Sequence, residues 1–374
     1  MDVAVSETKI EADTDVVLCV NAGSSSLKLA LFAAAAGEPR ELGRASVDRV
    51  TDHGRALDDA LGQLAGQPAP TLASHRIVHG GAEHTAPAWI DARLIAGLEA
   101  LIPLAPLHLP PSLAAIAAVT GRRPGLRQVA CFDTAFHARM PEVARRLPLP
   151  AALDRAGVRR YGFHGLSYEY IVSALSTLGP ALPPRLVIAH LGNGASLAAV
   201  EHGRSIDTTM GLTPTGGIPM GTRTGDLDPG VVLYLARERG MAPDAIAELV
   251  EHHGGLAGVG GASDMRTLLA RAPDDPAARL AVELFGYAVR KQIGAYAAAL
   301  GGLDALVFTG GIGEHAPEVR ALACRGLAFA GIVLDDARNR ASASDIGAGA
   351  CAVRVIPTDE DAVLARHAVA LAAR

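Results

Sequence analysis

The stretch VVLCVNAGSSSLKLALF, residues 16–32, has a near copy half a chain further on, LVIAHLGNGASLAAV at residues 186–200. In each copy an apolar run typical of a buried strand meets a few small residues, and a second apolar run follows at once. Aligning Ser26 with Ser196 matches the two turns at one constant offset without gaps. Glycine, serine and asparagine let backbone N–H groups crowd around an anion, because little side chain stands in the way. The repeat therefore predicts duplicated halves with two phosphate-binding turns.

The bulk composition favours two globular domains with neither a nucleic-acid nor a membrane partner. The chain has 374 residues, too many for one ordinary core, and 49% of them are hydrophobic. The net charge of −5 argues against nucleic acid as the main partner, since phosphate backbones need a basic surface. No apolar stretch reaches the roughly 20 residues that span a bilayer.

The N-terminal segment and the cysteines indicate a cytoplasmic location. Residues 1–13 are acidic and lack the basic start and apolar stretch of a secretion signal, so we expect a flexible extension before the first strand. The four cysteines are scattered without C-x-x-C spacing, at Cys19, Cys131, Cys324 and Cys351. Buried, reduced thiols in a cytoplasmic protein fit this pattern.

The order of predicted elements is typical of an α/β protein. Residues 71–81 predict a strand that runs into a Gly-Gly turn, and residues 128–137 predict a strand that stops at a carboxylate. A long helix is predicted over residues 277–300, where apolar residues recur at helical spacing. Residues 304–314, DALVFTGGIGE, predict a strand that enters a helix through a glycine turn. Residues 353–361 predict a last strand before a closing helix.

Three glycine turns, at residues 21–24, 192–194 and 310–313, each follow a predicted strand. The chain lacks G-x-x-x-x-G-K-[ST], so it is not a P-loop protein, and it lacks G-x-G-x-x-G after its first strand, which argues against a Rossmann dehydrogenase. Two hairpins and a strand–GGxG–helix resemble the duplicated ATPase fold of sugar kinases, actin and the Hsp70 chaperones. That resemblance implies two actin-like (ribonuclease H-like) α/β domains around a nucleotide cleft.

The sequence also resembles the acetate kinases, from Val16 to the C-terminus. Eight motifs stand in that family's order: VNAGSSSLK, HRIVHGG, FDTAFH, GFHG, HLGNGAS, MGTRTGDLDP, SDMR and FTGGIGE. The resemblance implies direct, reversible, in-line phosphoryl transfer between ATP and acetate, giving acetyl phosphate and ADP. It also implies Mg²⁺, with Mn²⁺ as a substitute, and a homodimer. We expect an N-terminal domain over residues 14–146 plus 360–374 and a nucleotide-binding domain over residues 147–359.

The family pattern assigns chemistry to four charged or polar residues. Arg76 and Arg223 would hold the carboxylate and the transferred phosphoryl group, because a guanidinium fork matches planar oxyanions. His164 would donate a hydrogen bond to a phosphoryl oxygen. Asp133 would be the catalytic acid/base or a metal-organising group; since acetate is already ionised near pH 7, we favour orientation over proton abstraction. Without the resemblance, each arginine reads as a surface ion-pair residue and His164 as a structural histidine.

The same resemblance implies a metal site, an acyl pocket and an ATP site. Asn21 and Glu360 would hold Mg²⁺ through waters, although Glu360 also fits a plain first-turn helix residue. The acetate methyl group would contact four residues that are, taken singly, ordinary core residues: Val78, Leu107, Phe163 and Pro214. Lys28 is either a phosphate contact or an outward-facing strand residue. The residues implied for ATP are Lys28, His190, Leu191, Gly192, Asn193, Gly194, Asp264, Met265, Arg266, Gly311, Ile312, Gly313, Glu314 and His315.

Several positions depart from the family pattern. Leu109 and Ser112 stand where asparagine is usual, and the triplet at 166–168 reads Leu-Ser-Tyr in place of Thr-Ser-His. The loop at 213–217 reads TPTGG, and His315 stands where the glycine turn usually ends in asparagine. The charged and metal-directed residues are retained, so the departures bear on substrate width and nucleotide preference.

Three alternative functions stay open at this point. A propionate-preferring enzyme is the near alternative, because one methylene changes discrimination by only about 1–3 kcal/mol. A non-catalytic actin-like nucleotide-binding module explains the glycine turns but not Arg76, His164 and Arg223 together. A sugar kinase needs an acceptor base facing a hydroxyl pocket, and the apolar pocket residues argue against one.

Overall fold

The structure is a computed structural model that describes residues 14–23, 26–34, 38–179 and 181–374. The chain divides into two compact units. The first unit takes the chain up to Ala135 and again from Asp359, and the second runs from Phe136 to Thr358. The predicted extension at residues 1–13 lies outside the described residues, as does the tip of the first hairpin, Ser24 and Ser25.

The first unit holds one six-stranded sheet. Its strands in chain order are β1 (Asp15–Ala22), β2 (Ser26–Ala34), β3 (Arg40–Asp48), β4 (Leu72–Ile77), β5 (Ala88–Trp89) and β6 (Arg127–Phe132). The sheet order is β3-β2-β1-β4-β6-β5. β1 is antiparallel to β2 and parallel to β4, and β4 is parallel to β6.

The second unit holds a five-stranded sheet of the same design. Its strands are β7 (Arg185–Leu191), β8 (Ala195–Glu201), β9 (Arg204–Thr208), β10 (Ala305–Thr309) and β11 (Ala352–Val355). The order β9-β8-β7-β10-β11 repeats the first five positions of the other sheet. In both sheets the first three strands of this order pair in antiparallel fashion, and the last two run parallel to the third. The prediction of a duplicated α/β fold is confirmed.

Each hairpin has its own register, so the gapless alignment of the two copies is wrong at the residue level. Asn21 lies opposite Lys28, seven positions on, whereas Leu191 lies opposite Ala195, four positions on. Because one separation is odd and the other even, no constant offset superimposes both arms. The duplication therefore resides in the strand order.

Fifteen α-helices surround or connect the sheet strands in the described residues. They are α1 (His53–Gln63), α2 (Ala92–Ala100), α3 (Leu109–Arg122), α4 (Glu142–Arg145), α5 (Ala151–Arg155), α6 (Gly165–Leu178), α7 (Pro229–Arg237), α8 (Pro243–His252), α9 (Gly255–Gly260), α10 (Met265–Arg271), α11 (Pro276–Ala299), α12 (Gly310–His315), α13 (Pro317–Cys324), α14 (Asp336–Arg340) and α15 (Glu360–Ala372). Three short 3₁₀ helices lie at Ile102–Leu104, Ala135–His137 and Ala328–Ala330. Within the described ranges, no helix combines the length and the apolar character needed to cross a membrane.

The first sheet is covered on both faces, which explains why β1 is apolar at successive positions. Val16, Leu18 and Val20 pack with residues of α1 and α3 in one core cluster. Cys19 points the other way, and its Sγ donates to the Asp361 carbonyl of α15 at 3.3 Å. Helix α15 thus follows the last strand of the second unit but packs on β1, β2 and β4 of the first.

The long helix α11 begins and packs as its sequence dictates. The Asp275 side chain caps it by accepting from the backbone N–H groups of Ala277 and Ala278, and proline occupies the first helical position. Phe285, Val289 and Ile293 recur every four residues and are fully buried. The prediction of a helix over residues 277–300 is therefore confirmed within one residue.

Candidate active site

The carboxyl ends of β1, β4 and β6 place three predicted residues at one edge of the first sheet. Asn21 and Arg76 are the next-to-last residues of β1 and β4, and Asp133 directly follows β6. These strands are parallel neighbours, so their ends meet at the same edge. Glu360, the first residue of α15, joins the group by an ion pair with Arg76.

Arg76 links two carboxylates from distant parts of the chain. Its Nη2 is 2.7 Å from Asp133 Oδ2, its Nε is 3.1 Å from Asp133 Oδ1, and its Nη1 is 3.3 Å from Glu360 Oε2. Asp133 is 1% exposed. Burial opposes the charge of the guanidinium, but Asp133 and Glu360 outweigh it and raise the Arg76 pKa above its ordinary value. Arg76 therefore stays charged and fixes the orientation of Asp133.

A second arginine holds the residues that flank Glu360. Arg44 on β3 donates to Asp361 at 2.8 Å and to Asp359 at 3.2 Å. Burial raises the pKa of Asp361 to about 6, and the Arg44 charge opposes that shift. Asp359 also caps α15 by accepting from the Ala362 backbone N–H. The start of α15 is thus tied to the sheet edge on both sides of Glu360.

The remaining predicted residues of the first unit differ in burial. Lys28 lies opposite Asn21 in the β1–β2 pair with its side chain exposed. Val78, just after β4, is buried, and Leu107 is half-buried. The departure at Leu109 is a core position, because that side chain is 0% exposed at the start of α3.

In the second unit, His164 lies at the start of α6 in a strained conformation. Its φ of 57° is in the left-handed region, which residues other than glycine rarely adopt. Gly162, at φ 76°, permits the tight approach of this segment, since a Cβ there would lie 2.4 Å from the Thr208 side chain. Phe163 between them is 1% exposed, and its carbonyl is 3.0 Å from His137 Nε2.

Two histidines stack beside the second hairpin, each hydrogen-bonded to a serine. The His164 and His190 rings lie 4.3 Å apart at 24°. His164 Nδ1 is 2.8 Å from Ser196 Oγ, and His190 Nδ1 is 2.8 Å from Ser167 Oγ. The Nδ1 atoms of both rings are therefore engaged by serine hydroxyl groups.

Arg223 lies near His164, and both side chains lie beside the turn that joins β7 and β8. A Cβ built on Gly194 would be 3.4 Å from His164 Nε2 and 3.7 Å from Arg223 Nη1. Arg223 Nη1 donates to the carbonyl of Pro214, a buried residue, at 3.0 Å. Burial lowers the pKa of Arg223, and Glu251 partly offsets this. The glycine turn, the arginine and the histidine therefore form one group in this unit.

A cavity of about 370 Å³ adjoins the same turn. That volume lies in the range of ligand-binding clefts. Eight predicted ATP residues line it: Gly192, Asn193, Asp264, Met265, Arg266, Gly311, Ile312 and His315. Leu269 and Ala316 also line the cavity and are not among the predicted ATP residues. Leu269 lies four residues after Met265 on α10, and that i, i+4 spacing was the available signal.

The other predicted ATP residues are not among those lining the cavity. They are Lys28, in the first unit, and His190, Leu191, Gly194, Gly313 and Glu314 in the second. Glu314 Oε1 accepts from the Gly310 backbone N–H at 2.8 Å and so closes its own helix turn. Asp264 lines the cavity, but its carboxylate also caps α10 by accepting from the Arg266 backbone N–H at 3.0 Å.

The acetokinase family profile matches residues 50–366, which is most of the chain. The chain belongs to the acetokinase family.

Members of this family match the acetokinase chain along nearly its whole length. An acetate kinase from Rhodopseudomonas palustris is 47% identical over 399 residues, with 96% of this chain and 99% of that protein covered. The crystal structure of Porphyromonas gingivalis acetate kinase matches with a TM-score of 0.86 at 35% identity, covering 96% of this chain and all of that one. The crystal structure of a propionate kinase from Francisella tularensis matches with a TM-score of 0.87 at 33% identity, covering 95% and 99%.

Three further residues beside the predicted ones make contacts that sequence patterns do not reveal. Ser196 and Tyr168 are hydrogen-bonded to each other behind His164, although they come from β8 and α6. Arg320, on α13, is fully buried and donates to the carbonyls of Gly313 and Glu314 at the end of α12. These partners lie on separate elements, so their contacts depend on the fold and not on a local pattern.

Proposed function

We propose that this protein catalyses reversible phosphoryl transfer between ATP and acetate, giving acetyl phosphate and ADP. The observation that carries the proposal is the group of Arg223, His164 and the Gly192–Gly194 turn beside a ligand-sized cavity. In a family whose members include acetate kinases, such a group suits an anionic nucleotide and a phosphoryl group in transfer.

In the proposed reaction an acetate oxygen forms a bond to the γ-phosphorus as the bond to the bridging oxygen of ADP breaks. Such transfers need positioning and charge neutralisation more than covalent help. Arg76 would hold the carboxylate, Arg223 the phosphoryl oxygens, and His164 would donate from Nε2 to one of them. Asp133, held by Arg76, would orient the reacting groups.

We propose that apolar side chains contact the acyl methyl group. The residues proposed for this role are Val78, Leu107, Phe163 and Pro214. Val78, Phe163 and Pro214 are apolar and buried, and a methyl group that packs against such side chains gains free energy by leaving water.

Mg²⁺, or Mn²⁺ in its place, is the proposed metal, with ATP or ADP as co-substrate. Asn21 and Glu360 would hold it, and oxygen donors from one amide and one carboxylate suit an ion that keeps several waters and binds substrate phosphates. Among the described residues, no cluster of three or more histidine, cysteine or acidic side chains is placed to hold a metal ion. When bound, the ion would neutralise phosphate charge.

A hydroxamate assay tests the proposed reaction. The protein is incubated with ATP, Mg²⁺ and acetate, and hydroxylamine traps any acyl phosphate as a coloured hydroxamate. We expect product with acetate. Absence of product with formate, acetate, propionate and butyrate alike would defeat the enzyme proposal and favour a nucleotide-binding module.

Propionate phosphorylation is the second candidate, because the Francisella tularensis structure at 33% identity is of a propionate kinase. Values of kcat/KM across formate, acetate, propionate and butyrate separate the two candidates. A maximum at acetate supports the first, and a maximum at propionate the second.

We also propose a homodimer formed through α7. This helix has no buried residue, and its successive side chains Val231, Val232, Leu233 and Tyr234 are all exposed. A helix that shows apolar groups all round to solvent is typical of an interface. The matching occupant is a second copy of the chain.

Light scattering coupled to gel filtration tests the dimer. The unmodified chain should have a mass of twice 38.4 kDa, and Leu233→Glu should have the mass of one chain, 38.4 kDa. Leu178→Glu is the control, since Leu178 is an exposed apolar residue on α6. A monomeric unmodified chain, or a dimer indifferent to Leu233→Glu, would contradict this interface.

A cytoplasmic location is proposed on the state of the cysteines. Cys19, Cys131, Cys324 and Cys351 are all buried, unoxidised thiols. Such thiols suit a reducing compartment.

A further inference from the structure

Tyr168 and Ser196 form a hydrogen-bonded chain behind the imidazole of His164. Ser196 Oγ lies 2.8 Å from His164 Nδ1 and is also hydrogen-bonded to the Tyr168 hydroxyl. Both Tyr168 and Ser196 are 0% exposed, so bulk water does not compete for these bonds. None of the roles proposed above uses Tyr168, and the sequence singled it out as a departure from the family motif.

The direction of the bonds follows from the acidity of the two hydroxyl groups. A phenol is a stronger acid and a weaker acceptor than an alkyl alcohol, so the Tyr168 hydroxyl donates to Ser196 Oγ. Ser196 carries one hydroxyl proton, which then points to its other partner, His164 Nδ1. A neutral imidazole that accepts at Nδ1 carries its proton on Nε2.

The Nε2 side of His164 is where the proposed function needs a donor. A Cβ built on Gly194 would be 3.4 Å from this nitrogen, so Nε2 faces the glycine turn near Arg223. The opposite tautomer would present a lone pair there, which would repel a phosphoryl oxygen.

We propose that Tyr168 and Ser196 are positioning residues that hold His164 as the Nε2–H tautomer. Packing supports the assignment, because the Tyr168 ring is fixed edge-on against His137 at 5.5 Å and lies 6.0 Å from Phe136. The catalytic consequence, though not the tautomer itself, rests on the proposed function.

Nitrogen NMR of protein labelled with ¹⁵N-histidine tests the proposal. Long-range ¹H–¹⁵N spectra distinguish the two tautomers, and the His164 signals are assigned by their loss in His164→Ala. We expect Nε2–H in the unmodified chain. In Tyr168→Phe, Ser196 loses its donor and becomes an acceptor for an Nδ1–H, so the signals should shift toward the other tautomer.

Turnover gives the second readout. Tyr168→Phe should lower kcat about 5- to 10-fold, the size of one lost hydrogen bond, with little change in KM for ATP or acetate. Tyr161→Phe is the matched control, since this buried tyrosine donates to the Gly157 carbonyl at 2.9 Å and should leave both readouts unchanged. Ser196→Ala, which removes the Nδ1 partner itself, should shift the same signals even if Tyr168→Phe folds poorly.

The outcomes separate this proposal from the function on which it rests. An Nδ1–H tautomer in the unmodified chain, or signals unchanged in Tyr168→Phe, would overturn the positioning role. A tautomer shift without a fall in kcat would support that role and remove His164 from the transfer. A chain that makes no acyl phosphate would defeat the proposed function, and the NMR result would still decide the tautomer.

Discussion

His164 combines a strained backbone with a confined side chain. Its backbone is in the left-handed region, and its imidazole is confined between a serine and a second histidine. Backbone strain of this kind costs of order 1–3 kcal/mol and persists where the surroundings impose it. The confinement leaves one nitrogen directed toward the glycine turn, which is the arrangement a hydrogen-bond donor to a phosphoryl group requires.

Replacing either His164 or Arg223 by alanine should lower kcat by about 100- to 1,000-fold, because in the proposed function each removes a donor directed at developing charge. Steady-state kinetics measures the loss, and circular dichroism should show an intact fold. His202→Ala is the control, since that exposed histidine also has a positive φ, 48°, and shares the backbone penalty. Near-normal turnover in either site variant would remove that residue from the site.

Val78→Ala should widen the acyl side of the site. We expect the ratio of kcat/KM for propionate to that for acetate to rise by roughly 10-fold, the discrimination available from one methylene. Val119→Ala, which truncates a buried valine on α3 of the same unit, controls for general loosening. An unchanged acyl-length profile in Val78→Ala would contradict the pocket assignment.

At the scale of elements, the turn between β7 and β8 depends on a glycine from another loop. A Cβ at Gly221 would lie 2.0 Å from Asn193 Oδ1, and the Gly221 backbone N–H donates to the Asn193 carbonyl at 3.0 Å. This contact fixes Asn193, which lines the cavity, without using any side chain from the second loop.

Gly221→Ala should therefore displace the turn and raise the KM for ATP by about 10- to 100-fold, since small misplacements at such sites are costly. Gly62→Ala is the matched control: a Cβ at Gly62 of α1 meets no heavy atom within 4 Å, and alanine there should stabilise the helix slightly. Equal KM values in the two variants would show that the Gly221–Asn193 contact does not shape nucleotide binding.

The elements themselves were largely predictable, because local patterns determine them. Apolar runs around small-residue turns predict both hairpins, but the pairing register depends on how each turn closes, which the gapless alignment does not show.

The sequence predicts that the last strand reaches residue 361, yet β11 ends at Val355. Pro357 has no N–H to donate, and Asp359 already caps α15. The structure brings the motif residues His164 and Arg223 together beside Gly194, whereas the Ser196–Tyr168 contact requires two elements to meet.

For the whole molecule, each unit contains a buried histidine that folding keeps neutral. Burial lowers the pKa of His75 to about 4, against the hydrogen bond to Gln128, and the pKa of His137 also to about 4. The unfolded chain therefore binds more protons between about pH 4 and 6.5. The stability contributed by each histidine is complete above that range and is lost as pH falls through it.

We expect the free energy of unfolding to drop by up to roughly 3 kcal/mol per histidine between pH 7 and pH 4. Urea titrations at stepped pH measure it, with the single tryptophan, Trp89 on β5, reporting on the first unit. His75→Gln should reduce the pH dependence of the free energy of unfolding that the tryptophan reports. Asp361 opposes this fall in stability at low pH, because folding raises its pKa to about 6. The variant is therefore needed to separate the contribution of the histidine. A variant profile as steep as that of the unmodified chain would contradict the assignment.

The return of α15 to the first unit has a consequence for synthesis on the ribosome. Cys19 contacts Asp361, 342 positions later, and the buried face of α15 completes the core over β1, β2 and β4. Everything between Ala135 and Asp359 must be translated first, which takes on the order of ten seconds or more at ordinary elongation rates. During that interval the face of the first sheet that α15 later covers lacks its helix. The nascent first unit should therefore be unable to complete its core until the last helix has been synthesised.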